Sequence, residues 1–514
     1  MQAGFKALAD RYAIALAQSL RVESVIGTTR MSRERNGHVE NKYPASYQPT
    51  DDFAGHFEFG LKYEEIHLEF FARLFAIIGP EPIEAWCRQA PFGQYARRTG
   101  FLYEWLTGQS LDVPDVTNGG YVDALSSQHY LTRTEPLRIR RWRINNNLPG
   151  VRAFCPLVRR TEAVQQALQF DLHAALRELD QTFGPDILLR TASWLTLKES
   201  RASFLIEKEA DKADRIQRFA HVIEKYCGHI DDPLSDDSLH RLQAGILGHD
   251  AVGLGLRRSP VFVGQATMRE DIVHYIAPPF EVLAPMLDGL KTFEQATQGA
   301  EPLARAAVLA FAFVYIHPMR DGNGRIHRFL INDTLIRDKA VPDGVILPVS
   351  ATITRSIDFR ARYDRTLEVF SRPFMQRYAA SYRFGELIAY EDGTSSNLVF
   401  DDGEDAQFAW RYPDLTEHVL YTAQVVAHTV HTEMADEARV LVIFQRAQER
   451  LKEVLEMPDQ DANRIIRSLK ENGWQVSGKL KKTYPQLDDA QRSERVVEAV
   501  RSAFEDPELG PENR

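Results

Sequence analysis

Apolar residues recur at helical spacing through most of this chain, and the longest unbroken case is LARAAVLAFAFVYI at 303–316. Apolar nearly all round and free of glycine and proline, it predicts a buried helix. Pro318 lacks an amide hydrogen and disfavours helical geometry in the residue before it, so the helix must stop at His317. After a short turn a second helix is predicted over about 325–338, with Ile326, Phe329, Leu330, Leu335 and Ile336 as its apolar positions.

Residues 1–190 read as mostly helical, with an amphipathic start and helical spacing over 51–78 and 82–106, broken at Gly79-Pro80. The run LRIRRWRI at 137–144 alternates as a strand would, and 145–150 follows as a loop. A long helical pattern covers 197–220. Val261-Phe262-Val263-Gly264 is a short β run bounded by turn formers, and 275–279 is a helix-stopping loop. Residues 355–370 are helical again. The stretch 386–413 turns acidic and irregular, as a linker would, and 415–504 returns to helix with breaks at Met457-Pro458 and Asn472-Gly473. The expected fold is mainly α. It comprises an N-terminal, mostly helical domain (1–190) for target recognition or dimerisation, a core (191–385), a linker (386–413) and a C-terminal helical domain (414–514).

A length of 514 residues suggests about three domains. Composition, 44% hydrophobic and 26% charged, is that of an ordinary globular protein. The net charge of −10 implies no general affinity for nucleic acid or anionic membrane. Accordingly the four arginines of 137–144 read as a solvated strand face. The helix-turn-helix look-alike at 461–487, with Lys479, Lys481 and Lys482, reads as packing surface. Cys87, Cys155 and Cys227 are too widely spaced for a disulfide framework or a metal motif. The first residues lack a basic start followed by an apolar core, and no apolar run reaches the roughly 18 residues of a membrane span. A cytoplasmic protein without nucleic-acid or membrane partners is expected.

The chemistry concentrates in HPMRDGNGRIHR, 317–328. A glycine-punctuated turn feeding a helix N-terminus gathers backbone amides in one place, and the helix dipole adds to their pull on anions. Gly322 and Gly324 allow close approach of an oxygen-rich ligand. Arg325 and Arg328, three apart on one helical face, can both reach its phosphates. Asp321 is placed to hold a hard divalent cation, Mg²⁺ or Mn²⁺. His317 can take a proton near neutral pH. Together these outline a phosphoryl- or nucleotidyl-transfer site.

The run also resembles the signature of the Fic family, His-x-Phe-x-Asp/Glu-Gly-Asn-Gly-Arg-x-x-Arg, with Met319 in place of the phenylalanine as an adaptable apolar anchor. The resemblance implies a helical core with a β-hairpin flap, and transfer of AMP from ATP to a Ser, Thr or Tyr hydroxyl of a target protein, or of the chain itself. It makes His317 the base and Asp321 the Mg²⁺ ligand. Asn323 and the amides from Gly322 to Arg325 would stabilise developing charge, and Arg325 and Arg328 would bind the β- and γ-phosphates. It makes Val261, Phe262, Val263 and Gly264 part of a flap that lines the nucleotide and lays down the target segment. Tyr363 falls where the family places a tyrosine near the adenosine; Asn332 is a ligand contact or plain helix surface. Ser203-Phe-Leu-Ile-Glu207 resembles the family's inhibitory motif, with Lys208 where glycine or asparagine is usual. Glu207 would then pair with Arg328 and exclude the γ-phosphate. A homodimer is compatible with all of this. Removal of AMP, a Fic-type phosphotransfer, and a regulatory protein with a vestigial site are the alternatives.

Overall fold

Helix ends fall where short polar side chains and glycines stand. The computed structural model describes residues 1–35, 37–209, 212–266 and 271–506. Asp52 accepts the Gly55 amide at 2.7 Å to start the helix Phe53–Tyr63, and Ser356 accepts that of Phe359 at 3.1 Å to start Ile357–Arg377. Each such cap is worth about 1 kcal/mol. Leu68–Ile78 stops at Gly79 (φ 70°), in the left-handed region that glycine enters freely.

The chain divides into two compact units, which do not follow the sequence-order blocks expected above. One comprises Met1–Phe170, Lys212–Lys339 and Ser356–Gln424; the other comprises Asp171–Asp211, Ala340–Arg355 and Val425–Arg514. In the first, an aromatic core of Phe5, Phe57, Phe70, Phe71 and Phe75 is sandwiched among Phe53–Tyr63, Leu68–Ile78, Glu81–Gln89 and Gln94–Thr107. The N-terminal region is less helical than its periodicity predicts. Its first helix ends at Arg11, and a four-stranded sheet runs in the order Gln2–Ala3, Val22–Gly27, His38–Pro44, Met31–Arg35. The arginine-rich run is two short strands, Leu137–Ile139 and Ile144–Asn146, around a turn at Arg143 (φ 49°).

The second part of this unit is built on two buried helices, Pro302–Ile316 and Asn323–Arg337. The first buries every residue except Pro302 and Val314, as a helix apolar on all sides must. The second buries polar residues too, and these are paired: Asp333 accepts the Gly228 amide at 2.9 Å and Arg337 Nε at 2.8 Å. The flap hairpin pairs Phe262–Ala266 with Asp271–Ile276, with Phe262 opposite Ile276 and a register shift after Val263. Residues 386–413, expected as a linker, are instead structured. A second hairpin, Tyr382–Ala389 with Ser395–Phe400, leads into the helix Gly403–Arg411, whose Trp410 is buried. The acidic residues that suggested a linker have partners: Asp401 pairs with Arg383, Asp405 with Arg73 and Arg377, and Asp392 accepts backbone amides. Asp392 takes the amides of Arg258 at 2.7 Å and Ser259 at 3.2 Å; against the opposing effect of burial, the Thr394 hydroxyl together with these amides and that of Thr394 holds its pKa down at about 2.

In the second unit, Ile187–Ile206 packs with Val349–Arg355 and Ala435–Val454, which follows a π-helical turn at Thr429–Met434. Buried Glu199 accepts the Ser350 amide at 2.7 Å, and Lys198 lies 2.9 Å from Glu433 and 2.5 Å from Glu437. The pattern at 197–220 is therefore not one helix: Ile187–Ile206 ends and Ala213–Tyr226 begins anew in the first unit. The helix-turn-helix look-alike sinks Ile465, Ile466, Leu469, Leu480 and Leu487 into a small bundle closed by Ala490–Phe504. No helix among the described residues is long and apolar enough to cross a membrane.

Candidate active site

The helix Pro302–Ile316 ends at His317, whose backbone is left-handed (φ 49°, ψ 55°). For a residue with a Cβ that conformation costs about 1 kcal/mol, and Pro318 forbids the helical alternative. The turn aims the imidazole back over the helix end, where Nδ1 lies 3.1 Å from the Val314 carbonyl. A carbonyl only accepts, so Nδ1 is a donor, and whenever the ring is neutral its basic nitrogen is Nε2.

Beyond His317, the loop is clasped from within by two residues four apart. The Met319 amide donates to Asn323 Oδ1 at 3.0 Å, and Asn323 Nδ2 donates back to the Met319 carbonyl at 2.7 Å. Met319 is fully buried (0% exposed) in the position where the signature has phenylalanine, and it forms a β-bridge with Leu256. Asn323 was expected to face developing charge; its amide is instead committed to the loop. Gly322 (φ 93°) opens the helix Asn323–Arg337, so the first-turn amides from Asn323 onward point out of the helix end.

Asp321 Oδ1 accepts the Gly322 amide at 2.6 Å and Arg325 Nη2 at 2.7 Å, while its side chain stays 53% exposed. One carboxylate of this kind suits Mg²⁺, which prefers hard oxygens and takes most of its shell from water and phosphate. Among the described residues no cluster of three or more His, Cys, Asp or Glu side chains could hold a metal alone. Arg325 and Arg328 lie under the loop at 3% and 1% exposure, so their charge is concentrated in a low-dielectric setting beside the helix N-terminus.

The flap is continuous with this loop. Residues 256–260 run alongside it, and then Val261 enters the hairpin, closed at its base by the Ala277 amide donating to the Val261 carbonyl at 3.1 Å. Val263 is exposed, and Tyr275 donates from its hydroxyl to the Tyr315 carbonyl at 2.7 Å. The connection at 267–270 lies outside the described residues.

Tyr363 is a buried ring among Phe311, His327 and Tyr421, with centroids 6.4, 6.3 and 6.2 Å away. Asn332 is buried within its helix. Ser203 is buried in Ile187–Ile206, and Glu207 is the exposed residue at its C-terminus, both in the second unit. Lys208 is left-handed (φ 61°), the conformation that glycine or asparagine takes most readily and that the motif's usual residue supplies.

Two residues of the site were invisible in the sequence. Gln243, buried, donates to the Asp321 carbonyl at 2.9 Å and accepts the Gly255 amide at 2.7 Å. Arg257 reaches the His317 carbonyl at 2.7 Å. No periodicity or spacing marks either, because both act across the fold.

Comparison with known proteins finds relatives over the segment that contains this loop. Residues 234–335 match the model of the Fic/DOC family. Protein adenylyltransferase fic-1 of Caenorhabditis briggsae is 33% identical over 181 residues, covering 33% of this chain and 32% of that protein. Its Caenorhabditis elegans counterpart is 31% identical over 183 residues, covering 34% and 32%. The match thus spans about a third of the length of these relatives. Among solved structures, a Fic family protein from Desulfovibrio desulfuricans G20 aligns with TM-score 0.37 at 17% identity, over 56% of this chain and 79% of that one. A Fic domain containing signaling protein from Bacteroides thetaiotaomicron VPI-5482 aligns with TM-score 0.34 at 18% identity, over 54% and 98%.

Proposed function

We propose that this chain, whose residues 234–335 are a Fic domain, is a protein adenylyltransferase that moves AMP from ATP to a Ser, Thr or Tyr hydroxyl of a cytoplasmic protein or of itself. The observation that carries the reading is the Nδ1 contact of His317 with Val314. It makes Nε2 the basic nitrogen, six residues ahead of the first residue of an anion-binding helix end. Nε2 takes the hydroxyl proton as the oxygen attacks the α-phosphorus. The bond from that phosphorus to the bridging oxygen breaks, and pyrophosphate leaves.

The chain's own groups account for the rest. The amides from Gly322 to Arg325 meet the charge that develops on the α-phosphate oxygens, and Asn323 acts by holding the loop around them. Arg325 and Arg328 bind the β- and γ-phosphates and steady the leaving group. Asp321 holds Mg²⁺, which when bound neutralises phosphate charge. Val261, Phe262, Val263 and Gly264 line the nucleotide, and the flap receives the target segment by strand addition. Glu207, at the end of its helix, restrains the reaction. A homodimer is consistent with the reading.

Incubating the Glu207→Gly variant with ATP labelled at the α- or the γ-phosphate tests this. Protein labelled from the α-position only, and lost in Glu207→Gly/His317→Ala, is the expected result. Label arriving only from the γ-phosphate would make the chain a phosphotransferase and end the reading.

A further inference from the structure

We propose that Arg257 is the positioning residue for His317, fastening the base to both roots of the flap hairpin; the inference rests on the transferase reading above. Arg257 stands five residues before the first flap strand and is 1% exposed. Its amide donates to the Pro318 carbonyl at 3.0 Å and its Nε to the His317 carbonyl at 2.7 Å. Nη1 donates to the Ser259 carbonyl at 3.1 Å, and Nη2 to the Pro278 carbonyl at 2.5 Å. One guanidinium therefore joins the residue bearing the base, the chain entering the hairpin and the chain leaving it.

The charge of this side chain needs a reason. Among the described residues no carboxylate lies within ion-pair distance of it, and burial pulls its pKa down to about 10. Tyr275, Asp392 and Glu281 oppose that effect without a direct ion pair. A buried cation held this way is costly, and an apolar side chain of similar length would fill the space at less expense. What an apolar residue cannot do is donate along three directions in one plane, and a lysine offers only a point charge. The acceptors are backbone carbonyls, so the guanidinium sets main-chain positions and no particular side chain.

The consequence runs through His317. Its left-handed backbone leaves its carbonyl outside the helix ladder, and Arg257 supplies that carbonyl's partner while Val314 orients the ring. Release of the carbonyl would let the imidazole drift, and a shift of about 1 Å at a reacting group costs on the order of a hundredfold in rate. A segment docked on the flap pulls on Pro278 and Ser259, and through Arg257 its position reaches the base.

The test uses the full-length Glu207→Gly chain, with Arg257→Lys as the mild change and Arg257→Met as the severe one. For Arg257→Lys the expected result is kcat for α-label transfer lowered at least tenfold, with ATP affinity within twofold. Hydrogen exchange gives a second readout that needs no activity. The amides of His317, Met319 and Ala277 should exchange at least tenfold faster, while those of 326–336 hold. Unchanged exchange at His317 and Ala277, or a kcat within twofold of the parent, overturns the proposal, as does a rate loss matched by an equal loss of ATP binding. If the parent transfers no α-label, the transferase reading fails, and the exchange data alone decide whether Arg257 ties the base loop to the flap.

Discussion

Asn323 and Met319 hold each other at both ends. The asparagine's amide oxygen accepts the Met319 N–H, and its amide nitrogen donates to the Met319 carbonyl, at 3.0 and 2.7 Å. Both main-chain groups are buried, so Asn323→Ala leaves two unmet polar groups, each costing about 1–3 kcal/mol. Calorimetry should show a melting midpoint lower by several degrees. Adenylyl transfer should fall at least a hundredfold, by an order-of-magnitude estimate for a displaced reacting group. A variant that melts and reacts like the parent would mean the clasp is incidental.

Asp321→Asn keeps an oxygen for the Gly322 amide but removes the charge that faces Arg325 and the proposed cation. Titration calorimetry of the parent should show ATP binding strengthened by Mg²⁺. In the variant that strengthening should vanish while binding of metal-free ATP survives. Equal Mg²⁺ dependence in both would remove Asp321 as the ligand.

Glu207→Gly should raise auto-adenylylation at least tenfold, and an unchanged rate would reduce 203–207 to ordinary helix. The neighbouring Lys208→Gly keeps the carboxylate and relieves a left-handed backbone (φ 61°). It should stabilise the helix end by about 1 kcal/mol, seen as a higher urea midpoint, without releasing the enzyme.

A pH effect on stability is expected far from the site. Glu64 accepts the Phe5 amide at 2.7 Å, and burial pushes its pKa from 4.5 up to about 7. The fold thus favours the protonated form. The contribution is whole below about pH 4.5 and is lost as the pH rises through 7, by up to about 3 kcal/mol at 1.36 kcal/mol per unit. Urea midpoints at pH 5 and pH 8 should therefore differ more for the parent than for Glu64→Gln. The same difference in both would assign the effect to another group.

The catalytic loop was legible because its parts are contiguous. His317, Asp321, Gly322, Arg325 and Arg328 lie within twelve residues, and Pro318 alone dictates where the helix before them ends. The buried helix Pro302–Ile316 was equally plain from its apolar run. Short strands were not. Gln2–Ala3 and Leu137–Ile139 are too brief for a period to register, and the acidic turn at Asp392 reads as linker until its amide partners at 258 and 259 are known. Arg257 and Gln243 stayed hidden for a related reason: their acceptors are main-chain carbonyls, those of His317, Pro278 and Asp321 lying tens of residues away, which no side-chain pattern records. Tyr363, placed by family habit, also packs its ring against Phe311 and Tyr421, contacts that no local spacing records.

The helix that ends at Glu207 owes its footing to segments distant in the chain: Glu199 caps at Ser350, and Lys198 rests between Glu433 and Glu437. A shortened chain ending at Gln424 would retain the entire 234–335 match yet strip both acidic partners from Lys198. Most of the stability of a protein helix comes from tertiary packing of one face, even at the twenty residues of this one. Such a truncation would fray the very segment thought to hold the enzyme back, so turnover measured on the trimmed protein would overstate that of the whole one.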